Sequence, residues 1–237
     1  MAINRISISY ATAAAVMVAI QLTRCSVTEM SVSVREPLLN PVPIKSLKPT
    51  QITVGFREVA EKRRQWREQS GDKGSEFLGR HMVPVVWGPK ERHYIVDHHH
   101  LCRALLDEGV KDILVNVVSD LRALTKPALW IYLDNRSWCH PYDAEGRRRD
   151  FAEIPSSVAG MTDDPYRSLA GELRRAGGFA KDETPFSEFI WADFLRRRIK
   201  IKTLKEDFPA ALVMALTLAK QKDAGYLPGW CGPNPIV

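Results

Sequence analysis

The stretch VPVVWGPKERHYIVDHHHLCRALLDEG, residues 83–109, decides how the chain folds. MVPVVW from Met82 is a short apolar, β-rich run, GPKER is a turn, and His93 to Asp97 is a second short run, so the three together predict a hairpin. Leu101, Ala104 and Leu105 recur at helical spacing, and Gly109 stands where a helix C-terminus is expected, which predicts a helix over 101–108. Between strand and helix lie Asp97, His98, His99 and His100. Three consecutive histidines face three directions around a first helical turn, so one packing need does not account for them.

Outward from this corner the pattern continues. VPIKSLKP, residues 42–49, alternates apolar and polar residues before a proline and predicts a strand. FREVAEKRRQWRE from Phe56 predicts a basic amphipathic helix, with Gly71 and Gly74 as its stop. ILVNVV from Ile113 predicts a buried strand. The order β, α, β, β, α, β within residues 37–120 is a small α/β (α+β) unit with a mixed sheet and flanking helices. Residues 121–237 read as a mostly helical C-terminal region packed on it. TDDPYRSLAGELRRAGG (162–178) has a capping aspartate and Pro165 at the first helical position. TPFSEFIWADFLRRR (184–198) predicts a helix starting at Thr184 and Pro185, and FPAALVMALTLAKQKDAG (208–225) predicts a buried one.

Residues 1–36 form a separate extension. The run YATAAAVMVAI from Tyr10 is too short for a membrane span, which needs about 20 apolar residues, and suits an export signal or an over-extended translation start before Met30. The first implies export, the second a cytoplasmic protein, and neither leaves a stable membrane span in the mature fold. The formal charge of +6 is spread along the chain without a basic tail, which accommodates a phosphate-bearing partner without requiring one. Cys25, Cys102, Cys139 and Cys231 form no CxxC pair, so reduced thiols are expected.

The DHHH corner has two chemical readings beside a plain helix start. A helix N-terminus with unpaired N–H groups and added histidine donors binds anions, with Arg103 one turn further on. Protonation of those histidines would strengthen that binding toward acid. Alternatively His98 and Cys102, at i and i+4, pair with Cys139 and His140 to hold zinc. A serine hydrolase lacks its G-x-S-x-G elbow.

VPIKSLKPTQ, the helix after it, and the 83–109 stretch together resemble the ParB/sulfiredoxin superfamily, in its ParB-like nuclease branch. DDPYRSLAGELRRAGGF and PFSEFIWADFL resemble that branch's C-terminal region. The resemblance implies a ParB/sulfiredoxin-like mixed sheet in which a strand ends at a motif that opens a helix holding nucleotide phosphates. Asp97 to His100 stand at that motif. The usual G-E-R-R-x-R-A box is replaced by DHHHLCRAL, and Gln51 occupies the place where kinases of this fold carry an acid. Glu58 is the nearest carboxylate.

Taken with the residues, this implies phosphoryl chemistry on a nucleotide or nucleic-acid phosphodiester. Asp97, His98 and His99 are the expected catalytic residues, Asp97 and His98 the candidate ligands of a divalent metal such as Mg²⁺ or Mn²⁺. His100, Arg103, Arg57 and Lys48 are expected to bind phosphate, and Glu58 to serve as an acid or base. The alternatives are a non-catalytic nucleotide- or DNA-binding module of the same fold and, less directly, a zinc protein.

Overall fold

The computed structural model describes residues 41–69, 71 and 74–233. The expectations for residues 1–36 lie outside them. Four strands form the main sheet in the order β1-β5-β3-β4. These are β1 (Pro41–Pro43), β3 (Val83–Gly88), β4 (Arg92–Ile95) and β5 (Asp112–Asp120). The hairpin appears as expected: β3 and β4 are antiparallel, with Val85 opposite Ile95 and Gly88 opposite Arg92. Lys90 and Glu91 turn the chain with φ of 59° and 55°. β5 runs parallel to β3, which requires the crossover through α3 (His99–Asp107). A second, two-stranded parallel ladder joins β2 (Thr53–Val54) to β6 (Thr162–Asp163).

Helices flank the sheet. α1 (Phe56–Gln69) packs on α3, and Val59, Leu101, Cys102, Ala104 and Leu105 share one buried cluster with Val83, Val85 and Ile113. α5 (Pro165–Arg175) packs on α6 (Ser187–Arg196), and with α7 (Ile201–Glu206) and α8 (Phe208–Ala219) builds a second cluster around Leu169, Trp191 and Phe194. A third cluster joins Val86 and Tyr94 to Leu129, Trp130 and Leu133 of α4 (Lys126–Asn135). The described residues from Pro41 onward belong to one compact unit. Among them no helix is long and apolar enough to cross a membrane.

Five local expectations are corrected. The strand over 42–49 stops at Pro43 and becomes a 3₁₀ turn at Ile44–Ser46, because Pro41, Pro43 and Pro49 cannot donate to a ladder. Gly74 does not end α1 but opens α2 (Gly74–Arg80). β5 is not buried throughout: Val117 and Val118 are exposed, since β1 pairs with only Asp112–Leu114 of it. α6 begins at Ser187, after Phe186 takes a left-handed φ of 58°. α8 buries only the stripe Ala211, Ala215 and Ala219, while Val213 is 64% exposed. An apolar run does not say which face meets a partner; small residues at i, i+4 and i+8 do. α4 went unread in the sequence, although Thr125 caps it and Pro127 sits in its first turn.

Candidate anion site at the start of α3

β4 is an edge strand, and the chain leaves it at Asp97 to enter α3. His98 is the N-cap, in the left-handed region at φ 66°, a conformation costing a non-glycine residue about 1–2 kcal/mol. Asp97 is exposed, and its Oδ1 accepts the His98 N–H at 2.6 Å.

The next two rings are built into the fold. His99 is buried, and its Nε2 accepts the backbone N–H of Thr50 at 3.1 Å. Thr50 Oγ1 lies 3.2 Å from the same nitrogen and donates to Ile95 O at 2.6 Å. His100 Nε2 accepts the backbone N–H of Gly55 at 3.0 Å. A backbone N–H can only donate, so both Nε2 atoms are unprotonated and both Nδ1 atoms carry the proton. Burial drives the His99 pKa down to about 3, helped by the nearby His98 and His140 rings. Burial also lowers the His100 pKa well below the usual histidine range, and the Arg167 guanidinium pushes it further. These two histidines are therefore neutral donors at Nδ1 across the physiological range. The expectation that their protonation would tighten anion binding toward acid is corrected: they do not protonate there.

His99, His100 and Asp97 line a cavity of about 590 Å³. Its other wall comes from the helical region, with Arg167, Glu188, Phe186 and Phe189 among the lining residues. Arg167 sits in the first turn of α5, where its backbone N–H is capped by Asp164 at 3.2 Å. Asp164 is itself buried and ion-paired to Arg196 at 2.7 Å. The Arg167 guanidinium faces Phe189, 5.2 Å from the ring centre, and its Nε and Nη1 are buried with no hydrogen-bond partner among the described residues. Burial lowers its pKa, with Glu188 and Glu58 opposing. Both carboxylates ion-pair with other arginines, Glu188 with Arg174 at 3.0 Å and Glu58 with Arg175 at 2.8 Å, so they act on Arg167 through charge and not through a hydrogen bond. An unsatisfied buried polar group costs about 1–3 kcal/mol, more when charged. An anion in the cavity would relieve that cost.

α5 can approach this closely because Gly55 has no side chain. A Cβ there would meet Ser168 Oγ at 2.7 Å and Ser168 N at 2.9 Å. Ser168 Oγ in turn accepts the Arg57 N–H at 3.2 Å.

The remaining expected ligands point elsewhere. Arg103 is held by Asp107 at 3.1 Å and by the carbonyls of Met161 and Ala159 at 2.7 and 3.2 Å, so it clamps a loop. Arg57 lies over the Phe208 ring at 3.6 Å. Lys48 Nζ donates to Ser156 O at 2.8 Å, in a different hollow. Glu58, raised by burial but lowered more by Arg175, Arg167 and Lys62, stays ionised and paired. Its pairing leaves no proton chemistry for it at neutral pH. The zinc ligands are not assembled either. Cys102 and Cys139 sit in separate clusters, and among the described residues no group of three or more His, Cys, Asp or Glu could hold a metal. Both thiols are pushed up by burial, Cys139 to about 12.

Arg167 is the residue that sequence reading missed. One signal was available: a helix's first turn favours acids, so an arginine there is out of place unless it serves something else.

At the site, a mixed sheet's edge strand opens a helix onto a cavity of about 590 Å³ whose lining includes His99, His100 and Arg167. The family described as "Putative ParB-like nuclease" matches residues 40–197, and the chain belongs to that family. The crystal structure of protein Atu1540 from Agrobacterium tumefaciens is 50% identical, with a TM-score of 0.77, covering 83% of this chain and 99% of that one. Two structures of the chromosome-partitioning protein ParB from Caulobacter crescentus, one with CTP-gamma-S and one with the centromeric parS site, are 14% and 15% identical. Their TM-scores are 0.29 and 0.28; each comparison covers 77% of this chain, and 97% and 98% of the respective ParB chain. No curated protein matches.

Proposed function

We propose that the α3 cavity binds the phosphate of a nucleotide or nucleic acid, and that Asp97 makes hydrolysis of the phosphoester possible. The observation that carries this is the unpartnered Arg167 guanidinium in the same cavity as two neutral histidine donors. Arg167 would take phosphoryl oxygens through its free N–H groups, and His99 and His100 Nδ1–H would hold the others. Such fixed donors favour the charge that builds on the oxygens during phosphoryl transfer.

Asp97 lines the cavity, has no salt-bridge partner among the described residues, and uses its Oδ1 for the His98 N–H. It can take a proton from an attacking water. It also fits Mg²⁺ or Mn²⁺, which commonly bind one or two carboxylates together with substrate phosphate oxygens. A bound divalent ion would supply charge neutralisation there.

The test is turnover of nucleotides and of plasmid DNA with Mg²⁺ or Mn²⁺, beside calorimetric binding. Asp97→Ala should abolish turnover and leave binding and fold, since the local contact it makes is worth only about 1 kcal/mol. Turnover surviving in Asp97→Ala defeats the catalytic half. Binding without turnover in the parent would favour the second reading, a non-catalytic phosphate-binding module, which the locked neutral state of His99 and His100 supports.

A further inference from the structure

Arg167 shares one face of α5 with Gly171 and Arg175, which follow it at four-residue steps. Gly171 is buried in the interior of that helix. Glycine is the least favourable residue there after proline, and a helical backbone does not require it. The reason for it lies in what fills the space of the missing side chain. A Cβ on Gly171 would meet Glu58 Oε2 at 3.0 Å, Arg167 Nη1 at 3.2 Å and Arg175 Nη2 at 3.8 Å. Because Cα–Cβ bonds lean toward the helix N-terminus, that methyl would point toward Arg167.

Glu58 reaches this notch from α1, with its side chain 14% exposed. Its carboxylate shares the notch with both guanidinium groups but bonds only one of them: Oε2 accepts from Arg175 Nη1 at 2.8 Å. Arg175 is held a second time by Glu172, also at 2.8 Å. Arg167 is in no salt bridge among the described residues, and its Nε and Nη1 have no hydrogen-bond partner there. Two neighbouring cations thus divide one carboxylate unequally. The one left over is the one that lines the α3 cavity.

Gly171 itself lies outside the lining of that cavity. A side chain at this position obliges the tips of Glu58 and Arg167 to give by a few tenths of an ångström. Binding groups keep their match to a ligand only within about 0.5 Å, so a shift of that size is felt in the cavity.

We infer that Gly171 is a positioning residue for phosphate binding: the notch it leaves seats Glu58 on Arg175 and keeps the Arg167 guanidinium unpaired where it lines the α3 cavity. This rests on the phosphate reading of that cavity and adds a residue that acts on it only through Arg167.

The experiment titrates inorganic phosphate by calorimetry onto the full chain and its variants. Affinity should fall about threefold in Gly171→Ala and about tenfold in Gly171→Val, since a misplacement of about 1 Å can cost a hundredfold. The urea midpoint of Gly171→Ala should hold or rise, because alanine is the better helix former. Arg167→Lys keeps a charge but has no Nη1 to collide with. In that background Gly171→Ala should weaken phosphate binding no further, as expected of a residue that acts through another. Unchanged phosphate affinity in both Gly171 variants overturns the inference. An equal loss in the Arg167→Lys background also overturns it, and makes Gly171 a packing residue. An unfolded Gly171→Ala does the same, because the notch then holds the α1–α5 contact and not one side chain. In each of these cases loss of phosphate binding in Arg167→Gln leaves the phosphate reading of the α3 cavity standing. A parent that binds no phosphate sinks both.

Discussion

The first turns of α3 and α5 both bring nitrogen-bearing side chains to one cavity, and they are built in opposite ways. At α3 the His99 and His100 rings each accept a backbone N–H, so their Nε2 atoms belong to the scaffold. At α5 the buried Nε and Nη1 of Arg167 have no hydrogen-bond partner among the described residues. The conspicuous histidine run is thus partly mortar: it ties α3 to the segment of Thr50 and to Gly55. The inconspicuous arginine is the group left wanting a ligand. Satisfied polar atoms stabilise a fold, and unsatisfied ones mark where something else binds.

The largest expected effect lies under Arg167, at the ion pair that seats it. Asp164→Ala leaves Arg196 charged without its buried partner and removes the cap of α5. Stability should fall by about 3–5 kcal/mol, read from denaturant midpoints. A loss under about 1 kcal/mol would mean that the α5 start is not held as described.

Arg167→Gln comes next and addresses the contrast itself. Nucleotide or oligonucleotide affinity should drop by about 2–4 kcal/mol, within the range for removing one partner of a buried charged pair. Stability should hold or rise, because an unpaired charge leaves the interior. If the variant is instead strongly destabilised with affinity intact, Arg167 is structural and the contrast fails.

His99→Leu should show the reverse pattern in stability, losing about 1–3 kcal/mol because the Thr50 N–H is then buried without an acceptor. The same ring gives a pH signature. His99 and His140 have folded pKa values of about 3, below the ordinary histidine range near 6.5. Burial is the main cause for both, with Arg167 and Arg196 adding for His140. Between about pH 6.5 and 3 the unfolded chain takes up protons that the folded one refuses. Stability should therefore be level above about pH 6.5 and fall toward pH 3, by up to ~1.4 kcal/mol per unit for each histidine. His99→Leu should flatten that decline, as urea midpoints at several pH values would reveal. A parent whose stability is unchanged from pH 7 to 5 would show that these rings are not buried neutral.

The smallest effect concerns Arg103. Arg103→Met should cost about 0.5–1.5 kcal/mol through its lost bonds to the Met161 and Ala159 carbonyls, with no change in phosphate affinity. A drop in affinity on calorimetry would return Arg103 to the site.

Much of this architecture is legible in residues 83–109. The β3–β4 hairpin, the entry into α3 and the capped start of α5 follow from β-rich runs, a turn and an aspartate–proline pair, all local properties of the chain. Burial was less legible. The apolar runs of β5 and α8 look alike in sequence whether covered or not, and only the short β1 and the alanine stripe of α8 decide which atoms meet water.

Local sequence patterns set the α/β order of the first part, the helical character of the second, and the placing of Asp97 to His100 where a strand hands over to a helix. They did so because hydrophobic period, turn residues and caps act over a few positions. Tertiary structure alone decided which side chains face one another across more than forty residues. It joined Thr50 to His99, Gly55 to His100 and Arg167 to their cavity, and it sent Arg103, Arg57, Lys48 and Glu58 to other partners. The reason is physical: hydrogen bonding, desolvation and the pKa shifts they cause depend on neighbours brought together by packing, and residue type fixes none of them in advance.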